Sequence, residues 1–156
     1  MFTPLLAATL VALTPWSWPV APPHDIVRPY IAPLTTYGAG HRGIDIAAPL
    51  GATVYAPDDG VVSFAGVVVD RPVLSILHDG GLVSSYEPVS SSLVEGEVVQ
   101  RGEAIGTLLA GHCDSPCLHF GVRLHGDYVS PLRYLGGLTR PRLLPTRGGA
   151  RTGSSP

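Results

Sequence analysis

The sequence of 156 residues lacks several features that define common protein classes. Its longest apolar run, Leu5 to Leu13, is too short to span a bilayer as a helix and suits the apolar region of a secretory signal peptide. No segment shows a sustained 3.6-residue hydrophobic period, which argues against a helical domain. Charged residues make up 14% of the chain and hydrophobic residues 45%, enough for the core of one domain.

Acidic residues are missing from the end of the chain. All twelve lie at or before Asp127; with five arginines, residues 1–127 carry a net charge of −7, whereas residues 128–156 carry five arginines and no acid, or +5. The Gly-, Pro- and Ser-rich composition of 137–156 favours a basic disordered tail, and the alternative is a tether to an anionic surface. We predict no nucleic-acid partner.

The composition along the chain predicts four segments. Residues 1–21 form a signal peptide or apolar N-terminal segment, 22–36 a proline-rich linker, 37–136 the folded domain and 137–156 the basic tail. We therefore expect a secreted or envelope location, with no transmembrane span after processing.

Short apolar runs bounded by Gly, Pro or Asp indicate an all-β domain, a mainly antiparallel sandwich or barrel-like sheet. Residues 49–66 and 93–111 share a strand-turn-strand plan, which suggests internal duplication. Biotinyl and lipoyl carrier domains use similar hairpins but present a modifiable lysine. The chain has no lysine, which excludes that class.

The stretch GHRGIDIAAP contains two candidate metal ligands, His41 and Asp45. Gly43, the flanking β-branched isoleucines and the following proline favour a loop that enters a strand over a helix. His41 would then lie on the loop and Asp45 at the strand start, close enough to share one ion if the loop folds back.

The stretch CLHFGVR supplies the third candidate. Strand alternation places Cys117 and His119 on one face and apolar neighbours on the other, so His119 is directed toward a cleft. With His41 and Asp45 it completes the open set of two histidines and one carboxylate that catalytic zinc favours. Such an ion lowers the pKa of water to about 7 and polarises a carbonyl. The sequence therefore predicts a zinc site.

The run from His41 to about Leu135 resembles the lysostaphin or LytM type of peptidoglycan zinc endopeptidase, peptidase family M23, also called the duplicated hybrid motif. The matching stretches, in family order, are HRGID, APLGATVYAPDDGVV, a strand ending in Tyr86, VEGEVVQRGEAIG, CLHFGVR and YVSPLRYL. The resemblance implies a mainly antiparallel β-sheet core with a groove for cell-wall peptide, and zinc held by the three residues above.

Two departures from the family pattern concern catalysis. The family has a histidine two residues before the last ligand and another two residues after the tyrosine, where this chain has Cys117 and Pro88. His112 is a candidate substitute base. Glu87 has suitable chemistry, but alternation with Tyr86 is expected to direct it away from the groove. We expect Tyr86 and Pro88 to line the groove.

Cys113 and Cys117 have three interpretations. Their spacing allows a small disulfide loop if the Cα atoms come within about 7 Å, and secretion favours it. Alternatively, Cys117 is a thiolate ligand beside His119 in a closed structural site. A free nucleophilic cysteine is disfavoured because His112 is the one nearby base in the sequence.

The motifs together predict a secreted or envelope-associated zinc metallopeptidase-like protein acting on peptidoglycan cross-links, with catalysis impaired or dependent on His112. The alternative is a non-catalytic, zinc-bearing module that binds the cell wall or regulates another hydrolase. A plain β-domain with incidental histidines is disfavoured by the joint placement of the motifs.

Overall fold

The structure, a computed structural model, describes residues 15–35 and 38–136. Within these ranges the apolar runs form short strands, because each is bounded by turn-forming glycine, proline or aspartate. In chain order the strands are β1 Ile26–Arg28, β2 Gly43–Ala47, β3 Thr53–Tyr55, β4 Gly60–Val68, β5 Arg71–Leu77, β6 Leu82–Glu87, β7 Val89–Ser90, β8 Val98–Val99, β9 Ala104–Leu108, β10 Cys117–Leu124 and β11 Asp127–Val129. No helix in the described ranges is long and apolar enough to cross a membrane.

The strands form two antiparallel sheets. The larger sheet has the order β1-β2-β10-β6-β5-β4-β8, with β11 also paired to β10, and the smaller has the order β3-β9-β7. Every pairing between named strands is antiparallel. The predicted all-β, mainly antiparallel fold is confirmed.

The two similar segments of the sequence pair with each other. Strand β3 pairs with β9, with Thr53 opposite Thr107, and β4 pairs with β8, with Gly60 opposite Val99. The first strand of each unit thus pairs with the second strand of the other. The duplication in the sequence is therefore a structural unit that links the two sheets.

The central strands β2, β10 and β6 present an apolar face to the core. Phe120 lies opposite Ile44 on one side and Tyr86 on the other, and all three side chains are fully buried. Truncation of such a buried aromatic residue to alanine costs about 3–5 kcal/mol. Because side chains alternate along a strand, the intervening residues point to the opposite face, where they form a groove.

A chain of buried polar groups runs from the core face of β6. The Tyr86 and Ser84 hydroxyls lie 2.7 Å apart, Ser84 Oγ lies 2.7 Å from His78 Nε2, and His78 Nδ1 lies 2.7 Å from the Asp59 carbonyl oxygen. Since that carbonyl only accepts, His78 carries its hydrogen on Nδ1 and accepts at Nε2. Burial lowers the pKa of His78. It therefore has a structural role, as its place at a strand end suggests.

The N-terminal arm, residues 15–35, packs onto the domain, which corrects the predicted boundaries. Trp16 and Val20 are buried in the core, and the Trp16 backbone forms a bridge with Leu135. Strand β1 pairs with β2, so 22–36 is not a separate linker. Cleavage after Ala21 would remove two core residues. Signal cleavage itself stays a prediction, and residues 1–14 and the tail 137–156 lie outside the described residues.

Candidate metal centre

Strand register assembles the first part of the site. Strand β10 lies between β2 and β6, and His119 is directly opposite Asp45 on one side and Glu87 on the other. Paired residues point to the same face of a sheet. The three polar side chains therefore form one row across three strands, on the face opposite the core.

His41 reaches this row from the loop before β2. Its backbone exchanges two hydrogen bonds with Ile31, and its Nδ1 lies 2.8 Å from the Pro29 carbonyl oxygen. Because a carbonyl only accepts, Nδ1 carries the hydrogen, and Nε2 faces Asp45. The N-terminal arm thus fixes both the position and the tautomer of His41, as an outer partner does for a metal-ligating histidine.

Three potential ligand atoms converge at the centre of the site. His41 Nε2 lies 3.0 Å from Asp45 Oδ1 and 3.1 Å from His119 Nδ1, and His119 Nδ1 lies 2.7 Å from Asp45 Oδ1. In the neutral tautomer set by Pro29, the His41 Nε2 lone pair faces a carboxylate oxygen, an arrangement that a cation, either a proton or a metal ion, would stabilise. Two imidazoles and one carboxylate are a donor set that zinc takes in open sites. The residues present therefore fit zinc.

Asp45 is the charged centre of this group. Its side chain is buried, with the residue 1% exposed. Burial alone would raise its pKa, but hydrogen bonds and charge from His112 and His119 outweigh burial and hold the pKa well below its usual range. At neutral pH the site therefore contains a buried carboxylate anion.

A disulfide anchors the loop that precedes β10. Cys113 and Cys117 are bonded, with their Cα atoms 6.0 Å apart. Cys117 is the first residue of β10, so the bond ties the loop to the strand that carries His119. Both sulfurs are used in the bond, and the alternative of a Cys117 thiolate ligand does not apply to this structure.

This loop places His112 beside the converging ligands. His112 Nε2 lies 3.2 Å from Asp45 Oδ1, and its ring centroid lies 4.5 Å from that of His119. Its side chain is 12% exposed. His41, Asp45, His112 and His119 all offer ligand atoms within 4.8 Å of one another. The structure thus brings the predicted substitute base together with the three predicted ligands.

The other ring nitrogen of His112, Nδ1, lies near one hydrogen-bond acceptor and one donor, and it can pair with only one of them. Nδ1 lies 3.2 Å from Glu87 Oε1 and 3.0 Å from Arg71 Nη1. It cannot donate to the first and accept from the second at once. Hydrogen bonds to Asp45 and then Glu87 raise the pKa of His112 to about 9, against the effect of burial. Without metal, we therefore assign the imidazolium form, which donates to both carboxylates.

Glu87 and Tyr86 occupy faces opposite to those predicted. Glu87 joins the site, and its hydrogen bond to His112 lowers its pKa. Tyr86 is fully buried and does not line the groove. Side chains alternate along β6 as predicted, but the two faces are exchanged, because the register with β10 places Glu87 beside His119 and Tyr86 beside Phe120. Pro88 is also buried; it follows the end of β6, where the chain passes to the smaller sheet.

An open groove of about 420 Å³ extends from His119 and Glu87 along β10. Gly121 and Ser85, which lie opposite each other, contribute to its floor. The groove begins beside a closely packed contact: a Cβ at Gly43 would lie 2.7 Å from His119 Nε2 and 2.5 Å from the Phe120 carbonyl oxygen. Glycine at this position therefore leaves room for the His119 ring.

Comparison with known proteins identifies the family. The profile described as Peptidase family M23 matches residues 39–131. "Uncharacterized protein Rv2891" of Mycobacterium tuberculosis is 41% identical over 142 residues, which cover 86% of this chain and 57% of that protein. "Murein hydrolase activator NlpD" of Escherichia coli is 32% identical over 133 residues, covering 81% of this chain and 33% of that protein. The match thus spans little more than half of the length of the first relative and a third of the second.

A solved structure supports the same assignment. A zinc containing peptidase from Vibrio cholerae superposes with a TM-score of 0.62 at 27% identity, covering 76% of this chain and 40% of that chain.

Proposed function

Because the chain belongs to peptidase family M23, we propose that it is an extracytoplasmic zinc peptidase that cleaves peptide cross-links of peptidoglycan. The observation that carries this proposal is the convergence of His41 Nε2, Asp45 Oδ1 and His119 Nδ1 within 3.1 Å of one another beside an open groove. The similarity to a zinc containing peptidase supports the choice of metal. Relatives described as a murein hydrolase activator and as lipoproteins support the substrate class and an envelope location.

The metal would be held by His41, Asp45 and His119. When bound, zinc supplies Lewis acidity, which polarises the scissile carbonyl and lowers the pKa of water. Pro29 holds His41 in the tautomer that presents Nε2 to this position. The disulfide holds the loop on which His112 lies, and the ring of His112 is within reach of both Asp45 and Glu87.

His112 and Glu87 are the proposed proton-handling pair. His112 Nε2 is positioned to take a proton from a water attacking the scissile bond, and Glu87 Oε1 accepts from Nδ1–H, which stabilises the resulting imidazolium. The pair replaces the two family histidines whose positions are occupied by Cys117 and Pro88. A general base of this kind contributes about 10²–10⁴ in rate.

Incubation of the purified protein with zinc and cross-linked muropeptides, followed by mass spectrometry, tests the proposal. We expect release of uncross-linked peptides by the wild type and none by His41→Ala. His125→Asn is the matched control, since this histidine lies in an exposed turn with φ of 50°, which asparagine tolerates. Absence of zinc-dependent cleavage of every cross-link tested would contradict the enzymatic proposal.

A second candidate function is a zinc-bearing module that binds peptidoglycan or regulates a hydrolase without cutting. It is favoured by the 3.2 Å between His112 Nε2 and Asp45 Oδ1, which allows His112 to act as a fourth ligand. Four protein ligands make a closed, structural site. In that case His112→Gln would weaken zinc binding, and wild-type protein would bind muropeptides without cleaving them.

A further inference from the structure

Two arginines flank one tyrosine at the end of the groove away from His112. The guanidinium carbon of Arg42 lies 5.7 Å from the centre of the Tyr128 ring, and that of Arg123 lies 5.8 Å from it. Both distances are typical of cation–π contacts, which hold planar guanidinium groups in place. The Tyr30 hydroxyl donates to the Tyr128 carbonyl oxygen at 2.8 Å, which holds the backbone of Tyr128 in place.

The groove has opposite charges at its two ends. Arg42, Arg123 and Tyr128 line it together with Glu87, which is the one carboxylate among its described lining residues. Asp127 lines a separate cavity on the other side of Tyr128. Within the described ranges, Arg123 makes no ion pair with a carboxylate. The far end is therefore cationic: the Arg123 guanidinium fork suits an anion, and Arg42, which also donates to the Gly38 carbonyl oxygen, adds positive charge.

The distance between the two ends of the groove matches the length of a short peptide. His119 and Arg123 lie four residues apart on β10, or about 13 Å along the strand. An extended peptide covers that distance with about four residues. Gly121 lies between them and leaves space for a peptide backbone to approach the floor.

We propose that Arg42 and Arg123 bind a free carboxylate of the substrate peptide and so act as specificity-determining residues. This inference rests on the proposed function, because it assigns the substrate to the same groove. It defines the substrate class as a peptide that bears a free carboxylate within about four residues of the bond held at His119. Amidation of that carboxylate removes the charge and one of the two acceptor oxygens that an arginine fork contacts.

Isothermal titration with two synthetic peptidoglycan stem tetrapeptides, one with free carboxylates and one fully amidated, tests the inference without depending on cleavage. With zinc-loaded wild type we expect the free acid to bind about tenfold more tightly, typical of a charge-assisted contact. Arg123→Gln should bring both peptides to the affinity of the amide, and Arg123→Lys should restore part of the difference. Arg133→Gln, an equal charge change at an exposed position outside the groove, should preserve it.

The outcomes separate the inference from the proposed function. If the wild type binds the free acid and the amidated peptide with equal affinity, and Arg123→Gln does the same, the inference is overturned. The proposal that the groove binds peptide then still stands. If neither peptide binds the wild type, the proposed function and the inference both fail. Thermal unfolding of each variant, followed by circular dichroism, shows whether a loss of affinity comes from a loss of fold.

Discussion

The two faces of the sheet at β6 carry two hydrogen-bonded groups of polar side chains that differ in how their hydrogen bonds are satisfied. On the core face, Tyr86, Ser84, His78 and a carbonyl form a linear chain in which each donor has one acceptor. On the groove face, three imidazoles direct nitrogen atoms at a single oxygen of Asp45. In the first arrangement, the hydrogens of the three side chains satisfy every hydrogen bond of the chain. In the second, the His41 Nε2 lone pair faces the Asp45 carboxylate, an arrangement that a cation would stabilise.

The difference explains why one histidine is structural and the others form a site. His78 is 5% exposed and its ring packs at a tilt against Trp16, with ring centroids 4.6 Å apart, so it has neither space nor a spare lone pair for a ligand. His119 and His112 are less buried and adjoin open cavities. Whether a histidine belongs to a functional site is thus indicated less by its burial than by the number of potential ligand atoms that lie beside its ring.

The largest effect is expected from Asp45→Asn, which removes the anion of the groove-face group. We expect zinc affinity to fall by about 100-fold or more, beyond the range typical of losing an outer partner of a ligand, with loss of zinc-dependent cleavage. Competition with a chromophoric chelator measures the affinity. Asp114→Asn, which changes an exposed carboxylate in the loop that carries His112, is the control and should bind zinc as the wild type does. Unchanged zinc affinity in Asp45→Asn would remove the distinction between the two groups.

The next largest effect is expected from His112→Gln, which distinguishes a role of His112 as general base from a role as zinc ligand. If His112 moves protons, cleavage falls by about 10²–10⁴ while zinc affinity stays within a few-fold of the wild type. Glu87→Gln should show a smaller loss of cleavage, because it acts through His112. Steady-state kinetics and chelator competition on the same preparations provide both values. A tenfold loss of zinc affinity in His112→Gln would instead support the closed, non-catalytic site.

His78→Ala perturbs the core-face group alone. It leaves the Ser84 hydroxyl and the Asp59 carbonyl without their partner and creates a cavity, so the free energy of unfolding should fall by about 2–4 kcal/mol. Urea unfolding measures this change. Zinc affinity of the folded variant should match the wild type, and a parallel loss of zinc would show that the two groups are one unit.

The smallest effect is a pH dependence with opposite sign in the two groups. The folded-state pKa of His112 is raised to about 9, so its stabilisation of the metal-free protein is present below about pH 6.5 and is lost as pH rises to about 9. Its loss lowers the free energy of unfolding by on the order of 2 kcal/mol. His78 has a lowered pKa, so it destabilises the protein as pH falls below about 6.5.

Urea unfolding of metal-free protein between pH 5 and pH 9 measures both slopes. In His112→Gln, the free energy of unfolding should change less on the alkaline side than in the wild type. Its decrease on the acid side should be the same as in the wild type. If the alkaline slope is unchanged in His112→Gln, the hydrogen bonds of His112 to the two carboxylates do not stabilise the fold as described.

Local patterns in the sequence predicted much of this molecule. Alternation in CLHFGVR placed Phe120 in the core and His119 on the opposite face, and the Cys113–Cys117 disulfide was foreseen from spacing and compartment. Their success has one cause: each depends on residues within a few positions of one another. The closeness of His41 and Asp45 was predicted for the same reason.

The parts that failed depend on long-range pairing. Which face of β6 carries Glu87 is set by its register with β10, which spacing within β6 does not determine. The proline-rich arm was predicted as a linker, yet its Pro29 carbonyl orients His41, and its Trp16 packs in the core. Neither contact leaves a periodic pattern in the sequence.

X-ray absorption at the zinc edge of the loaded protein tests whether the groove-face group holds zinc through His41, Asp45 and His119. We expect one zinc per chain, with nitrogen and oxygen neighbours at about 2.0–2.2 Å, an imidazole scattering pattern, and loss of that signal in His41→Ala. Failure to retain zinc, or sulfur scattering at about 2.3 Å from a cysteine ligand, would contradict this expectation.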